Sequence, residues 1–115
     1  GYCPVSYFDA TGPRKGVEGC TASYEGATYR LSASASVIMF NHDAAKFLPR
    51  FGGYCATSVS NGRLIAADPL LFSIRDGKLY LFAREPVDHK ALFHKDEATI
   101  LANAEKHWTE GNLTA

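Results

Sequence analysis

The stretch FSIRDGKLYLF, residues 72–82, carries the strongest fold signal in the chain. Asp76-Gly77 suits a two-residue β-turn, and short runs rich in aromatic and aliphatic residues flank it. This pattern predicts an antiparallel hairpin. A second hairpin is indicated over residues 20–32, where Glu25-Gly26 separates two short alternating runs. It should place Tyr29 and Leu31 on one face.

Helical spacing dominates much of the remaining chain. Apolar residues three or four apart predict a helix over 35–46, with Ser34 as its N-cap and Leu48-Pro49 at its end. Two further helices are expected from Pro86 onward, with Pro86 in the first turn and Lys95-Asp96 between the two helices. The core face of the second carries Ile100, Leu101, Ala104 and Trp108.

The weaker patterns complete the fold prediction. Residues 50–65 read as a loop with a short strand, and Asp68-Pro69 predicts a short helical turn. We therefore expect an α+β fold, a small single domain in which short antiparallel hairpins pack against two to four helices. The last seven residues, 109–115, are expected to form a frayed C-terminal tail.

Composition narrows the range of functions. The 115 residues suit one globular domain, and 12 basic residues balance 12 acidic ones. This balance argues against a broad nucleic-acid surface, which needs clustered Lys and Arg. No apolar run approaches the ~18 residues of a membrane span. Residue 1 is Gly rather than Met, which we interpret as processing, and a removed signal peptide would explain it.

Two distant segments point towards chemistry. GYCPVSYF, residues 1–8, and FGGYCA, residues 51–56, each place a thiol beside aromatic rings and a residue with special backbone preferences. Pro4 restricts Cys3, and we expect Gly52 or Gly53 to have a positive φ that positions Cys55. Thiols held in this way suit a soft metal, a disulfide or redox chemistry. The odd number of three cysteines leaves these options open.

The same segments belong to a longer resemblance, carried by collinear blocks from residue 1 to about residue 108. The blocks are GYCPVSYF at 1–8, SYEGATYRLSAS at 23–34, MFNHDAAKFLPRFGGYCA at 39–56, DP at 68–69, DGKLYLF at 76–82 and NAEKHW at 103–108. The chain resembles YHS-domain proteins of the longer, often secreted type. This resemblance implies a YHS-like α+β domain over residues 1–108, a secreted or periplasmic location and, for some members, copper handling. One departure is Cys3, where related sequences usually have Asp.

The candidate metal ligands are Cys3, Cys55, His42 and Met39. Thiolate donors favour copper(I), with zinc as the weaker candidate, and His42 and Met39 lie three apart on one helical face. If Cys3 and Cys55 meet in the fold, they could instead form a disulfide. Inert core thiols are the simplest alternative for both.

The remaining cysteine and histidines are expected to have structural roles. Core filling is the expected role of Cys20, and surface or helix-capping roles are expected for His89, His94 and His107.

We therefore expect a small non-enzymatic metal-binding domain, with copper as the cofactor. The sequence contains no CxxC, HExxH, GxSxG or Gly-rich phosphate loop. The alternative is a ligand-free structural or interaction module in which Cys3 and Cys55 form a disulfide or are idle. A weaker alternative is an enzyme that uses Cys55 as a redox thiol.

Overall fold

The structure, a computed structural model, describes residues 1–115. It contains five α-helices and two separate antiparallel sheets of two strands each, which confirms the predicted α+β class. Contacts divide the chain into two compact units, Gly1–Leu48 and Pro49–Ala115. Each unit has its own cluster of buried apolar side chains.

The N-terminal unit begins with a 3₁₀ helix, Pro4–Phe8. The hairpin of β1 (Thr21–Tyr24) and β2 (Ala27–Arg30) follows, and then α1 (Ser34–His42) and α2 (Ala44–Phe47). The hairpin confirms the prediction from Glu25-Gly26, because both turn residues are left-handed, with φ of 49° and 83°. The unit's core consists of Cys3, Val5, Ala22, Leu31, Phe40 and Phe47.

The helix predicted over 35–46 is interrupted. It begins one residue earlier, so Ala33 takes the N-cap position and the prediction of Ser34 as cap is wrong. Asp43 has an extended φ of −156° and separates α1 from α2. Aspartate favours helix boundaries because its short side chain competes with the helical backbone for hydrogen bonds. The predicted end at Leu48-Pro49 is confirmed, since α2 ends at Phe47.

The C-terminal unit begins with a left-handed turn in Arg50–Gly53, followed by α3 (Ala56–Ser60). The hairpin of β3 (Asp68–Arg75) and β4 (Lys78–Phe82) follows. Its turn confirms the prediction from Asp76-Gly77, with positive φ at both residues. Helices α4 (His89–Lys95) and α5 (Glu97–Glu110) complete the unit. The core consists of Phe51, Cys55, Ala56, Val59, Leu71, Tyr80, Phe82, Ala83, Phe93 and Ala104.

Helix α3 replaces the loop and strand predicted for this part of residues 50–65. All five of its residues are buried, and Ala56 and Val59 have no exposed surface. The segment ATSVS contains β-branched and hydroxyl residues, which are modest helix formers. Tertiary burial therefore outweighs local propensity here.

The segment at Asp68-Pro69 is also different from the prediction, because it begins β3 instead of a helical turn. An Asp68 carboxylate oxygen accepts the N–H of Leu70 at 2.9 Å, and the other pairs with Arg84 at 2.9 Å. The strand register shifts between Asp68 and Phe72. Such an irregularity tolerates a proline, which has no N–H for the ladder.

The two C-terminal helices are confirmed, although α4 begins after Pro86. Asp88 caps it by accepting the N–H groups of Lys90 and Ala91. The segment 109–115, expected to be a frayed tail, begins with the last two residues of α5. Its end is held in place, since the Leu64 N–H donates to the Thr114 carbonyl at 2.8 Å and the Thr114 N–H donates to the Gly62 carbonyl at 3.0 Å. None of the helices has the length and apolar character needed to cross a bilayer.

The Phe51-Gly52-Gly53 segment turns sharply before α3. Their φ angles are 59°, 63° and 82°. The prediction of a positive φ at one or both glycines is confirmed, because both have one. A Cβ on Gly52 would lie 3.2 Å from Cη2 of Trp108, whereas one on Gly53 would lie 3.5 Å from Cγ of Pro49. The left-handed backbone constrains both positions, and the Trp108 ring constrains Gly52 further.

We predict that Gly52→Ala lowers the free energy of unfolding by more than Gly53→Ala. Both changes force an L-residue into the left-handed region, at about 1–2 kcal/mol each, but Gly52→Ala also presses on Trp108. Urea denaturation of both variants measures the difference. In a Trp108→Leu background the excess cost of Gly52→Ala should shrink, and parent-like stability of both variants would contradict the prediction.

Candidate functional site

Helix α1 brings two of the four predicted metal ligands together. Met39 and His42 are three residues apart in its last turn, a spacing that places side chains side by side on one helical face. Both line a surface depression with a volume of about 540 Å³. The other lining residues are Ile38, Asp43, Lys46 and Phe47. The donors of this pair are a thioether and an imidazole.

The depression is lined by a buried aromatic ring, and its two donor side chains are exposed. Phe47 is only 4% exposed, and its ring meets that of Phe8 edge-on at 5.4 Å. Met39 is 49% exposed, although a methionine on an amphipathic helix usually packs into the core. His42 is exposed, and no hydrogen bond or ion pair engages its ring. Both donors are therefore free to bind a ligand.

Cys3 is fully buried in the core of the N-terminal unit. Burial raises the pKa of its thiol, but hydrogen bonds from the Ser32 hydroxyl and from the N–H groups of Ser32, Ser6 and Val5 outweigh burial and lower the pKa. The Ser32 hydroxyl oxygen is buried and makes no hydrogen bond of standard geometry, so the N–H groups of Ser32, Ser6 and Val5 are the firmer support for the thiolate. The surrounding donors therefore favour the thiolate of Cys3.

Cys55 is fully buried in the core of the C-terminal unit. Its N–H donates to the carbonyl of Ile65 at 2.9 Å, and its carbonyl accepts from Val59 in the first turn of α3. The left-handed backbone of Gly52 and Gly53 leads into this position. The residue is thus tightly positioned, as expected, with its side chain packed among apolar groups.

The three cysteines are free thiols, and Cys20 is partly buried beside the N-terminal core. No group of three or more Cys, His, Asp or Glu side chains is arranged to hold a metal ion. Cys3 belongs to the core of the N-terminal unit and Cys55 to the core of the C-terminal unit. Within the N-terminal unit, Met39 and His42 line one depression.

The other three histidines differ in their surroundings. His94 is 2.8 Å from a Glu97 carboxylate oxygen, whereas His107 lies in the last turn of α5 with its Nδ1 atom buried and without a hydrogen-bond partner. The Nδ1 atom of His89, however, is held between two backbone carbonyls, and the ring lines a depression on the C-terminal unit. Sequence spacing did not indicate this residue, because most of its neighbours in the depression come from residues 58–65.

The chain matches no known protein family, no curated protein and no solved structure.

We predict that the stabilisation due to Cys3, measured against Cys3→Ala, increases as the pH rises towards the ordinary thiol pKa of 9.0. Between the lowered folded pKa and 9.0, the folded protein holds a thiolate while the unfolded chain retains the proton. The unfolded state then binds more protons, so stability rises with pH, and this contribution is lost as the pH falls through the folded pKa.

Urea denaturation of the parent and Cys3→Ala over a pH series measures the effect. Val5→Ala is the matched control, because it removes a buried side chain from the same core without a titrating group. Its cost should stay constant with pH. A Cys3 contribution that is flat or falls with rising pH would show that the thiolate is not favoured.

Proposed function

We propose that the chain is a small non-enzymatic copper(I)-binding domain that holds the ion between the Met39 thioether and the His42 imidazole. The observation that carries the proposal is the placement of these two unengaged donors side by side in one depression. Thioether sulfur is a soft ligand that selects copper(I), and imidazole also binds copper.

The surroundings of the pair contain one charge that opposes a cation, that of Lys46, and two features that favour one. His42 is in the last turn of α1, where the unpaired carbonyls carry a partial negative charge that favours cations. Asp43 adds a carboxylate to the same depression, and its side chain makes no ion pair. With two principal donors, the pair suits an ion of low coordination number better than zinc, which takes four ligands.

Cysteine thiolates are the ligands expected from the sequence, but the burial of Cys3 and Cys55 gives them a lesser role in this proposal. Cys3 and Cys55 have no exposed surface, so a metal could reach either sulfur only after local opening of the core. Met39 and His42 need no such opening. The proposal therefore moves the ion from the thiols to the surface of α1.

We also propose membership of the YHS-domain family. The support is the collinear resemblance from residue 1 to about residue 108, together with the α+β class of the fold. Some members of that family occur with copper handling, which agrees with the proposed ligand. The Cys3 position, where related sequences usually have Asp, remains the main departure.

The second candidate function is a structural or interaction module that binds no metal. The complete burial of Cys3 and Cys55 favours it, because free cysteines behave as small apolar residues when they only fill a core. Under this alternative the three thiols are idle.

We predict that the reduced protein binds one copper(I) ion and that Met39→Leu or His42→Gln weakens binding about tenfold or more, equivalent to ~1.4 kcal/mol. Each change removes one of two principal donors while preserving side-chain size. Anaerobic competition against a chromogenic copper(I) chelator measures the affinity.

His94→Gln is the matched control, because it removes another exposed helical histidine and should leave the affinity unchanged. Cys3→Ser and Cys55→Ser test the alternative that the cysteine thiolates bind the ion. Loss of copper(I) binding in the two cysteine variants, with parent-like affinity in Met39→Leu and His42→Gln, would show that the thiolates are the ligands. Absence of binding by the parent would favour the metal-free module.

A further inference from the structure

A second depression, with a volume of about 400 Å³, lies on the C-terminal unit. The end of α3 and the residues just after it form one side, and the segment that leads into α4 forms the other. Unlike the Met39–His42 depression, it is lined by residues with opposite charges and several polar groups. None of these residues has a role in the proposed copper site.

Arg63 and Glu85 supply the two charges, and neither side chain forms a hydrogen bond or an ion pair, although the Glu85 charge also acts on the Arg84 guanidinium. Each of the other arginines of this unit pairs with a carboxylate, namely Arg50 with Glu105, Arg75 with Glu97 and Arg84 with Asp68. Arg63 and Glu85 line the same depression without forming an ion pair. Their charges are thus both available to one ligand.

His89 adds an oriented acceptor. Its Nδ1 lies 2.8 Å from the carbonyl oxygen of Val87 and 3.0 Å from that of Ala83. Carbonyls only accept hydrogen bonds, so Nδ1 carries the proton, and Nε2 of the neutral ring has a free lone pair. Thr57 further anchors the residue by donating its hydroxyl proton to the His89 carbonyl at 2.7 Å.

Ser58 provides a pre-positioned hydroxyl. The residue is only 5% exposed yet lines the depression, and its side chain makes no hydrogen bond within the chain. Its carbonyl is occupied by the N–H groups of Asn61 and Arg63. This hydroxyl faces the depression and is available to a ligand there.

We propose that this depression binds a free α-amino acid. The Arg63 guanidinium and the Ser58 hydroxyl would donate to the α-carboxylate, because a guanidinium matches a carboxylate with two parallel hydrogen bonds. The α-ammonium has three N–H groups, and the depression offers three acceptors. These acceptors are the Glu85 carboxylate, His89 Nε2 and the Asn61 amide oxygen.

Only a zwitterion satisfies both ends of this arrangement. A simple anion would bring its charge against Glu85, and a simple cation would bring its charge against Arg63. Ile65 and Pro86 form the apolar part of the wall, which favours a small aliphatic side chain such as that of alanine or valine.

Titration of the ¹⁵N-labelled full chain with L-alanine, followed by NMR, tests the proposal. Saturable shifts should appear at residues lining this depression, whereas propionate, which lacks the ammonium, and ethylamine, which lacks the carboxylate, should bind about tenfold more weakly or not at all. Equal affinity for propionate would identify an anion site and overturn the proposal. Absence of saturable shifts with L-alanine and with L-valine would also overturn it.

Two charge-neutralising variants sharpen the test. Arg63→Gln and Glu85→Gln should each lower the affinity for L-alanine about tenfold or more. Arg30→Gln and Glu18→Gln, at exposed positions outside this depression, are matched controls and should bind like the parent. All four residues are exposed, so these substitutions should leave the fold intact, and the NMR spectrum of each variant verifies this. Parent-like affinity in both Arg63→Gln and Glu85→Gln would refute the assignment.

Discussion

The burial of α3 is the constraint on which most of the C-terminal unit depends. This short helix has no exposed face, and Cys55, Ala56 and Val59 are within the core that also contains Phe82 and Phe93. Five residues form too short a helix to be stable alone. The surrounding apolar side chains therefore hold it, and they also set the direction of the chain before and after it.

Several local features follow from that burial. Before α3, the chain must turn sharply, which accounts for three consecutive left-handed residues from Phe51 to Gly53. Within α3, Thr57 reaches the carbonyl of His89 and ties the helix to the start of α4. After α3, residues 61–63 pass along the same side as His89. The polar depression is thus a consequence of how one buried helix is held.

The N-terminal unit uses polar contacts to hold its first segment. The Ser6 hydroxyl donates to the carbonyl of Cys3 at 2.6 Å and accepts the N–H of Arg14 at 2.8 Å. These bonds fasten the loop after the 3₁₀ helix and place N–H groups around the Cys3 sulfur. By contrast, Met39 and His42 lie side by side only because they are three residues apart on α1. Within one unit, hydrogen bonds therefore position the buried thiol, and helical spacing positions the exposed donor pair.

The sequence by itself determined the elements whose signals are local. The turns at Glu25-Gly26 and Asp76-Gly77, the positive φ of Gly52 and Gly53 and the pairing of Met39 with His42 follow from neighbouring residues alone. Only the tertiary structure decided that ATSVS is helical, that Asp68 begins a strand and that both Cys3 and Cys55 are enclosed. It also brought Ser58 and Arg63 to His89. The physical reason is that burial and the satisfaction of polar groups depend on segments distant in sequence, and these can outweigh local propensities of a few tenths of a kcal/mol.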